Sequence, residues 1–413
     1  MKINFNYKII LFILFLLGFF YFDNINYYFV NKFYLFKSRI KGPLPDIDIC
    51  NELQSGIEDL ISLEKNNWSI SVIDDKRRII VNINGDIPRI PASNNKIYTT
   101  AFALNKLGKD FRIKTYLIKN NNGDFIIYGG GDPDISESYF KLISKYLNKS
   151  ISNTNNKIIK LYIHEERPSL WWPVTWSSDD REETYGAPIT RLSILSNSDV
   201  TLSPIDNFTI HIKNNINYNY INYLDIIPVT NVKFTNKPNI VNILSSAPMQ
   251  SLLSLSNSES HNFTAEVLLR HASNTWDNDI ATKKLAQWLN SLNINFANTL
   301  IADGSGLSRN NRTTSNTMAS FLWLMSKQNN FDYLISSFAI PNQRGTLYEF
   351  NYNNNFKFYG KTGTLSGVKS LSGYLQSKKQ KLNISILSEN SPKSMDKLVE
   401  IMSFISSSNV CLI

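Results

Sequence analysis

The chain has 413 residues, 42% of them hydrophobic and 19% charged, and a formal net charge of +9. This composition supports two or three folded cores at about 150 residues per domain and excludes wholesale disorder. More than half of the positive excess lies in residues 1–42, and the rest of the chain has no basic stripe or nucleic-acid module, so no nucleic-acid partner is expected.

An apolar run from Ile9 to Phe22 follows Lys2 and Lys8. Its length suits the hydrophobic region of a signal peptide better than a helix of about 20 residues that spans a bilayer. No small-x-small cleavage site follows the run. Two alternatives therefore stay open after export, namely removal of the segment or its retention as a membrane anchor over residues 9–30.

Helices and strands are predicted to alternate in the first part of the chain. Periodicity indicates an amphipathic helix over residues 46–65, strands at Trp68–Val72 and Arg78–Ile83, and a helix that starts near Ser93 and ends at Gly108. From there the pattern changes to short strands and Asn-rich turns. This change predicts an inserted, mostly β region over residues 112–240.

Helical patterns return after residue 240. Three strand patterns follow at 357–364, 368–377 and 381–389, and a final helical pattern covers Ser394–Ser406. We therefore predict an α+β catalytic domain built from two separated pieces of chain. The expected domains are a signal or anchor segment with its linker (1–42), the catalytic domain (43–111 and 241–413), and the inserted β-rich domain or domains (112–240).

The two cysteines, Cys50 and Cys411, are too far apart for a CxxC redox motif or a zinc cage. No HExxH, GxSxG, Walker A or GxGxxG motif occurs. The sequence therefore predicts no metal and no other cofactor, and it leaves a single disulfide open.

Three short patterns carry candidate catalytic chemistry: Ser93–Lys96, Ser260–Asn262 and Lys361–Gly363. Ser-x-x-Lys occurs six times in the chain, so this spacing alone does not identify a nucleophile, whereas Lys-Thr-Gly occurs once. A lysine three residues after a serine lies on the same helix face and can serve as its base. Ser93 is also expected at a helix start, where unpaired N–H groups can stabilise an oxyanion. The alternative reading of Ser93 is an ordinary helix-capping serine.

The larger context favours the catalytic reading. The segments PASNNKIYTTAFALNKLGKDFRIKT, GGGDP, YGAPITRLS, SHNFTAEVLLR, DGSGLSR and YGKTGTLSG occur in this order. Together they closely resemble the class C low-molecular-mass penicillin-binding proteins, the serine D-Ala-D-Ala carboxypeptidase/endopeptidases. The resemblance implies the α+β fold of penicillin-binding proteins and serine β-lactamases, an antiparallel sheet flanked by helices with an inserted mostly-β region. The long separation of Ser93 and Ser260 is typical of class C.

The resemblance also implies catalytic roles. Ser93 would attack the carbonyl between two terminal D-alanines, and Lys96 would accept its proton, provided that burial and a nearby cation such as Lys361 lower the pKa of Lys96. Ser260 would relay a proton to the departing amine.

The implied substrate-binding residues come from the second and third motifs. Asn262 would hold the substrate amide, and Lys361 with Thr362 would bind the terminal carboxylate. Gly363 would let the strand approach the nucleophile. The backbone N–H groups of Ser93 and Thr364 would form the oxyanion hole.

The implied substrates are peptidoglycan stem peptides ending in D-Ala-D-Ala, and β-lactams would acylate Ser93 as mimics. The implied location is the periplasm. A β-lactamase-like hydrolase remains an alternative, although no recognisable motif places a deacylating glutamate and Glu266 is merely close to Asn262. A non-hydrolytic cell-wall-binding protein with the same fold is the other alternative. The balance between carboxypeptidase and endopeptidase activity is not set by the sequence.

The sequence also predicts features of residues near these motifs. His261 is expected to point away from the cleft, and residues 303–309 are expected to form a loop near it without a direct catalytic role. In the family fold the first and last helices pack side by side, which suggests a disulfide between Cys50 and Cys411. Three tryptophans are predicted to pack within the inserted region rather than to stack on substrate: Trp171, Trp172 and Trp176.

Overall fold

The computed structural model describes residues 45–153, 158–199, 201–230, 238–351, 356–377 and 380–408. The candidate signal or anchor segment at residues 9–30 lies outside these ranges. Within them, no helix is both long and apolar enough to cross a membrane.

The strands of the described residues form two sheets. In chain order they are β1 (Asp46–Ile47), β2 (Trp68–Asp74), β3 (Arg78–Ile83), β4 (Lys114–Lys119), β5 (Phe125–Tyr128), β6 (Ile159–His164), β7 (Leu224–Val229), β8 (Asn239–Ser245), β9 (Lys357–Leu365), β10 (Val368–Gln376) and β11 (Lys381–Glu389). The first sheet has the order β1-β3-β2-β11-β10-β9 and is antiparallel except for the β1–β3 pair. The second has the order β7-β6-β5-β4-β8.

Helices surround these sheets. They are α1 (Asn51–Leu60), α2 (Lys96–Leu107), α3 (Glu137–Ile151), α4 (Ser178–Glu182), α5 (Pro204–Asn215), α6 (Met249–Asn257), α7 (Asn262–Ser273), α8 (Asn278–Ser291), α9 (Ser315–Met325), α10 (Phe331–Ile335) and α11 (Ser394–Ser407). The first predicted helix ends at Leu60 rather than at residue 65, and a 3-10 turn over Ser62–Asn67 follows it.

The first sheet is covered by helices on both faces. On one face Ile57 of α1 and Ile401 of α11 share a core cluster with the central strands. On the other face α2, α7 and α9 form a larger cluster that includes Phe102 and Phe321 and meets β10 at Tyr374. The predicted α+β fold with an antiparallel sheet flanked by helices is therefore confirmed.

The structure describes only one of the two cysteines in the predicted disulfide. Cys50 directly precedes α1, is buried and is disulfide-bonded. Cys411, the other cysteine of the chain, lies outside the described residues.

The inserted region contains helices that the strand-rich pattern did not predict. Strands β5, β6 and β7 pair in parallel, and parallel neighbours need crossover connections, which α3 and α5 supply. Both helices pack on the second sheet through Phe140 and Phe208. Strand β8 crosses the predicted boundary at residue 240 and pairs with β4, so this sheet extends to Ser245. The division into catalytic and inserted domains otherwise stays a prediction.

Candidate active site

Ser93 lies in a strained turn that leads into α2. The 3-10 turn spans Ala92–Asn95, and Ala92 has a φ of 47°, a left-handed conformation that is uncommon for a residue with a Cβ atom. Gly306 packs against this turn so closely that a Cβ atom on it would lie 1.9 Å from the Ala92 carbonyl oxygen. Such strain persists only where the surroundings fix the backbone, as is common at functional sites.

Lys96 begins α2, and its ammonium lies beside Ser93 as the sequence predicts. Its Nζ donates hydrogen bonds to Ser93 Oγ at 2.9 Å, to Asn262 Oδ1 at 2.6 Å and to the Ser305 carbonyl oxygen at 2.7 Å. The side chain is 0% exposed. Burial lowers the pKa of Lys96 to about 7, against the attraction of the Asp303 and Glu266 carboxylates. A substantial fraction of Lys96 is therefore neutral near pH 7.

The Lys-Thr-Gly motif lies on β9, at the edge of the first sheet, next to Ser93. A Cβ atom on Gly363 would lie 3.0 Å from the Ser93 nitrogen and 2.8 Å from the Pro91 carbonyl oxygen. The predicted close approach of this strand to the nucleophile is thus present, and only glycine permits it.

Lys361 is fully buried on the same strand, and its Nζ donates to the Thr362 carbonyl oxygen at 2.8 Å. Burial lowers the pKa of Lys361 well below its usual value, and the nearby Lys96 ammonium lowers it further. We expected Lys361 to be the cation that lowers the pKa of Lys96. Burial is the largest cause of the lowered pKa of Lys96, and the repulsion between the two ammonium groups is mutual, so it disfavours the state in which both lysines are charged.

Two threonine hydroxyls of β9 already have partners. Thr362 Oγ1 donates to Thr346 Oγ1 at 2.7 Å, and Lys369 Nζ donates to Thr364 Oγ1 at 3.1 Å. Thr364 is exposed, and Lys369 lies opposite it on β10. A substrate carboxylate at this strand would therefore meet hydroxyl groups and a second lysine.

Ser260 lies in the loop before α7 and has a φ of 63°. Among the described residues no hydrogen bond joins Ser260 to Ser93 or Lys96. Within this motif it is Asn262 that accepts a hydrogen bond from Lys96. His261 shares a hydrogen bond with Thr264 through Nδ1 at 2.8 Å. Burial and the charge of Lys96 lower the pKa of His261 to about 4, so it stays neutral at neutral pH.

The loop at residues 303–308 holds a carbonyl against Lys96. Asp303 is fully buried, and its carboxylate accepts hydrogen bonds from the backbone nitrogens of Gly306 at 2.7 Å and Ser308 at 2.6 Å. Asn311 Nδ2 donates to the same carboxylate at 2.8 Å. These bonds fix the loop, and its Ser305 carbonyl points at the lysine.

Glu266 supports this loop from α7. Its Oε1 accepts hydrogen bonds from the nitrogens of Gly304 and Ser305, both at 2.8 Å, and its Oε2 pairs with Arg270 at 2.9 Å. Burial raises the pKa of Glu266, and the Asp303 charge adds to this effect. No hydrogen bond of the described residues joins Glu266 to Ser93, so Glu266 has the contacts of a structural residue.

Replacing Glu266 by Gln is expected to destabilise the fold by about 3 kcal/mol, because Arg270 would be left as an unpaired buried charge. Both side chains of this i, i+4 pair are 0% exposed. Urea unfolding measures the change. Glu137→Gln is the matched control, since Glu137 and Lys141 form an i, i+4 pair that is 70% and 66% exposed. Equal stabilities of the two variants would contradict the structural role.

The inserted region contributes two contacts that sequence reasoning missed. Trp176 Nε1 donates to Asp303 Oδ2 at 2.8 Å, and Asn262 Nδ2 donates to the Tyr185 carbonyl oxygen at 2.9 Å. The prediction that Trp176 packs within the inserted region is wrong, because its ring belongs to the cluster formed by α2 and α7. The three tryptophans of the WWPVTW segment are a visible sequence feature, but the sequence does not show that Trp176 binds Asp303. Trp171 Nε1 instead donates to the nearby Glu166 carbonyl oxygen at 3.0 Å.

Known structures share this arrangement of sheets and helices. Penicillin-binding protein 4 from Haemophilus influenzae matches with a TM-score of 0.70 at 19% identity, over 84% of this chain and 98% of that chain. The predatory endopeptidase Bd0816 from Bdellovibrio bacteriovorus matches with a TM-score of 0.54 at 19% identity, over 82% and 91%. Penicillin G-acylated Bd3459 from the same organism matches with 0.51 at 20% identity, over 82% and 90%.

The sequence itself identifies the family. No curated protein sequence matches the chain. The model of the D-Ala-D-Ala carboxypeptidase 3 (S13) family, however, matches residues 49–207 and 204–406, which is most of its length. The chain therefore belongs to the D-Ala-D-Ala carboxypeptidase 3 (S13) family and is a serine-type D-Ala-D-Ala carboxypeptidase, as its resemblance to class C penicillin-binding proteins predicted.

Proposed function

We propose that the chain is an exported enzyme that cleaves peptidoglycan stem peptides ending in D-Ala-D-Ala through an acyl-enzyme on Ser93. The observation that carries this proposal is the hydrogen bond between Lys96 Nζ and Ser93 Oγ at 2.9 Å in a buried site. The apolar run behind two lysines near the N-terminus supports export to the periplasm. Residues 9–30 would then be a removed signal peptide or an anchor in the inner membrane.

Acylation follows from the partners of Lys96. When Lys96 is neutral, its two N–H groups can donate to Asn262 Oδ1 and the Ser305 carbonyl oxygen, neither of which can donate in return. The lone pair is then left for the Ser93 hydroxyl proton. Ser93 Oγ attacks the carbonyl carbon between the D-alanines while its proton passes to Lys96.

Breakdown of the tetrahedral intermediate completes the transfer. The carbon–nitrogen bond breaks, and the leaving amine takes the proton from Lys96, with Ser260 as the proposed relay. The backbone N–H groups of Ser93 and Thr364 would stabilise the oxyanion. A water molecule then attacks the acyl carbon and passes a proton to Lys96. The bond from that carbon to Ser93 Oγ breaks, and Oγ takes the proton from Lys96, which releases the shortened peptide and restores Ser93.

The terminal carboxylate of the substrate would bind along β9. Lys361 and Thr362 supply donors there, and an incoming carboxylate would raise the lowered pKa of Lys361 because opposite charges favour the ionised forms. A β-lactam carboxylate would occupy the same position.

The test uses the full chain with two reagents, a fluorescent penicillin and a pentapeptide ending in D-Ala-D-Ala. Stable labelling together with release of D-alanine supports the proposal. Penicillin turnover within seconds would instead favour the β-lactamase alternative, which the position of Glu266 does not support. If neither labelling nor release occurs, the non-hydrolytic wall-binding alternative remains.

The rate of acylation is expected to rise with pH through about 7 and then to level off. Only neutral Lys96 can accept the Ser93 proton, and its fraction falls about tenfold per pH unit below the pKa. Labelling by fluorescent penicillin, stopped at timed intervals at several pH values around 7, measures the rate constant of acylation. The noncovalent affinity for penicillin is fitted separately. A rate that does not depend on pH would contradict Lys96 as the base.

A further inference from the structure

The inserted region binds the two segments whose oxygen atoms accept hydrogen bonds from the catalytic lysine. Apart from Ser93, the hydrogen-bond acceptors of Lys96 Nζ are Asn262 Oδ1 and the Ser305 carbonyl oxygen. Each of these belongs to a segment that is itself bound by residues 176–185 of the inserted region. The two contacts come from one short stretch of chain, ten residues long.

The first contact orients the Asn262 amide. Because Asn262 Nδ2 donates to the Tyr185 carbonyl oxygen at 2.9 Å, its Oδ1 faces Lys96. A flipped amide would present N–H groups to the ammonium and lose both bonds. The backbone of the inserted region therefore selects the amide orientation that accepts from Lys96.

The second contact anchors the loop that carries the Ser305 carbonyl. Trp176 Nε1 donates to Asp303 Oδ2 at 2.8 Å, and both side chains are at least 97% buried. Asp303 in turn binds the nitrogens of Gly306 and Ser308. The indole is the one donor to this carboxylate, among those described, that comes from the inserted region.

Resting on the function proposed above, we infer that Trp176 and Asp303 are positioning residues that aim the Lys96 lone pair at Ser93, so that the inserted region sets the efficiency of acylation. Neither residue touches the substrate in this role. The inserted region is then part of the catalytic apparatus.

Several charged groups surround Lys96 and must be considered together in a pH test. They are Lys361 on β9, Asp303 in the loop, Glu266 with Arg270 on α7, and His261 before α7. His261 stays neutral near pH 7, and the Glu266–Arg270 pair is internally compensated. Of the two carboxylates, Asp303 has the larger electrostatic effect on Lys96, so its replacement should move the titration of Lys96 directly.

The experiment compares Trp176→Phe with the matched control Trp171→Phe in the full chain. Each variant loses one indole hydrogen bond in the same segment, and of the two indoles it is Trp176 that binds Asp303. For Trp176→Phe we expect the acylation rate constant to fall about tenfold or more, with noncovalent penicillin affinity unchanged, since a displacement of about 1 Å can cost 100-fold. The acid limb of the pH profile should move to higher pH, because a looser loop solvates Lys96 and lets its pKa rise. The control should keep the wild-type rate and profile.

Asp303→Asn is the second variant and keeps the test decisive if Trp176→Phe does not fold. The Asp303 charge raises the pKa of Lys96, so its removal should move the acid limb to lower pH, opposite to Trp176→Phe, with a lower maximal rate. Thermal unfolding verifies each fold. Suppose that the wild type is labelled at Ser93 but the pH profiles of the two variants are unshifted, or shifted equally. This result would overturn the inference and leave the proposed function standing. Absence of wild-type labelling would contradict the proposed function itself.

Discussion

Replacement of Ser93 by Ala is expected to abolish covalent labelling by penicillin and to lower peptide hydrolysis about 10⁴-fold or more, because the variant lacks the hydroxyl that forms the acyl-enzyme. Intact mass and gel fluorescence measure the label, and D-alanine release measures hydrolysis. Ser93 lies in a turn and forms its side-chain hydrogen bond with Lys96, so the variant should fold.

The chain supplies a matched control for this variant. Ser62 and Lys65 form another Ser-x-x-Lys pattern, but Ser62 is exposed and Lys65 pairs with Glu58 at 2.8 Å. Ser62→Ala should retain full labelling and hydrolysis. Labelling that survives in Ser93→Ala would show that the nucleophile lies elsewhere.

Replacement of Lys96 by Met is expected to slow acylation by about 10³-fold, within the range that general acid–base catalysis contributes. Methionine fills a similar buried volume but offers no lone pair to the Ser93 proton. Raising the pH should not restore the rate, whereas wild-type acylation reaches its plateau above about 7. The acylation rate constant, measured with fluorescent penicillin at several pH values, decides the prediction.

Lys65→Met is the control for Lys96→Met, because it removes a lysine at the same motif position from the surface. It should leave both the rate and the pH profile unchanged. Near-wild-type acylation by folded Lys96→Met would exclude Lys96 as the base and direct attention to Lys361, the other buried lysine at the site.

The local parts of the fold and the site could be predicted from the sequence. Alternating apolar residues mark β9, β10 and β11, and the spacing of Ser93 and Lys96 follows from helix geometry alone. Strand-like patterns correctly predict β4, β5 and β6 of the inserted region, but the pattern at residues 208–214 also predicts a strand where α5 lies, and α3 was missed. Its apolar residues Phe140, Ile143 and Leu147 have helical spacing and were hidden by the surrounding Asn-rich turns.

The sequence by itself determined the family, the order of the motifs and the need for glycine at Gly363, since each of these depends on residue type and spacing. Tertiary structure alone decided which groups surround Lys96. The Ser305 carbonyl carries no side-chain signal, and the bond from Trp176 to Asp303 joins residues 127 positions apart. The lowered pKa of Lys96 likewise depends on complete burial, which arises only when the sheet, the helices and the inserted region pack together.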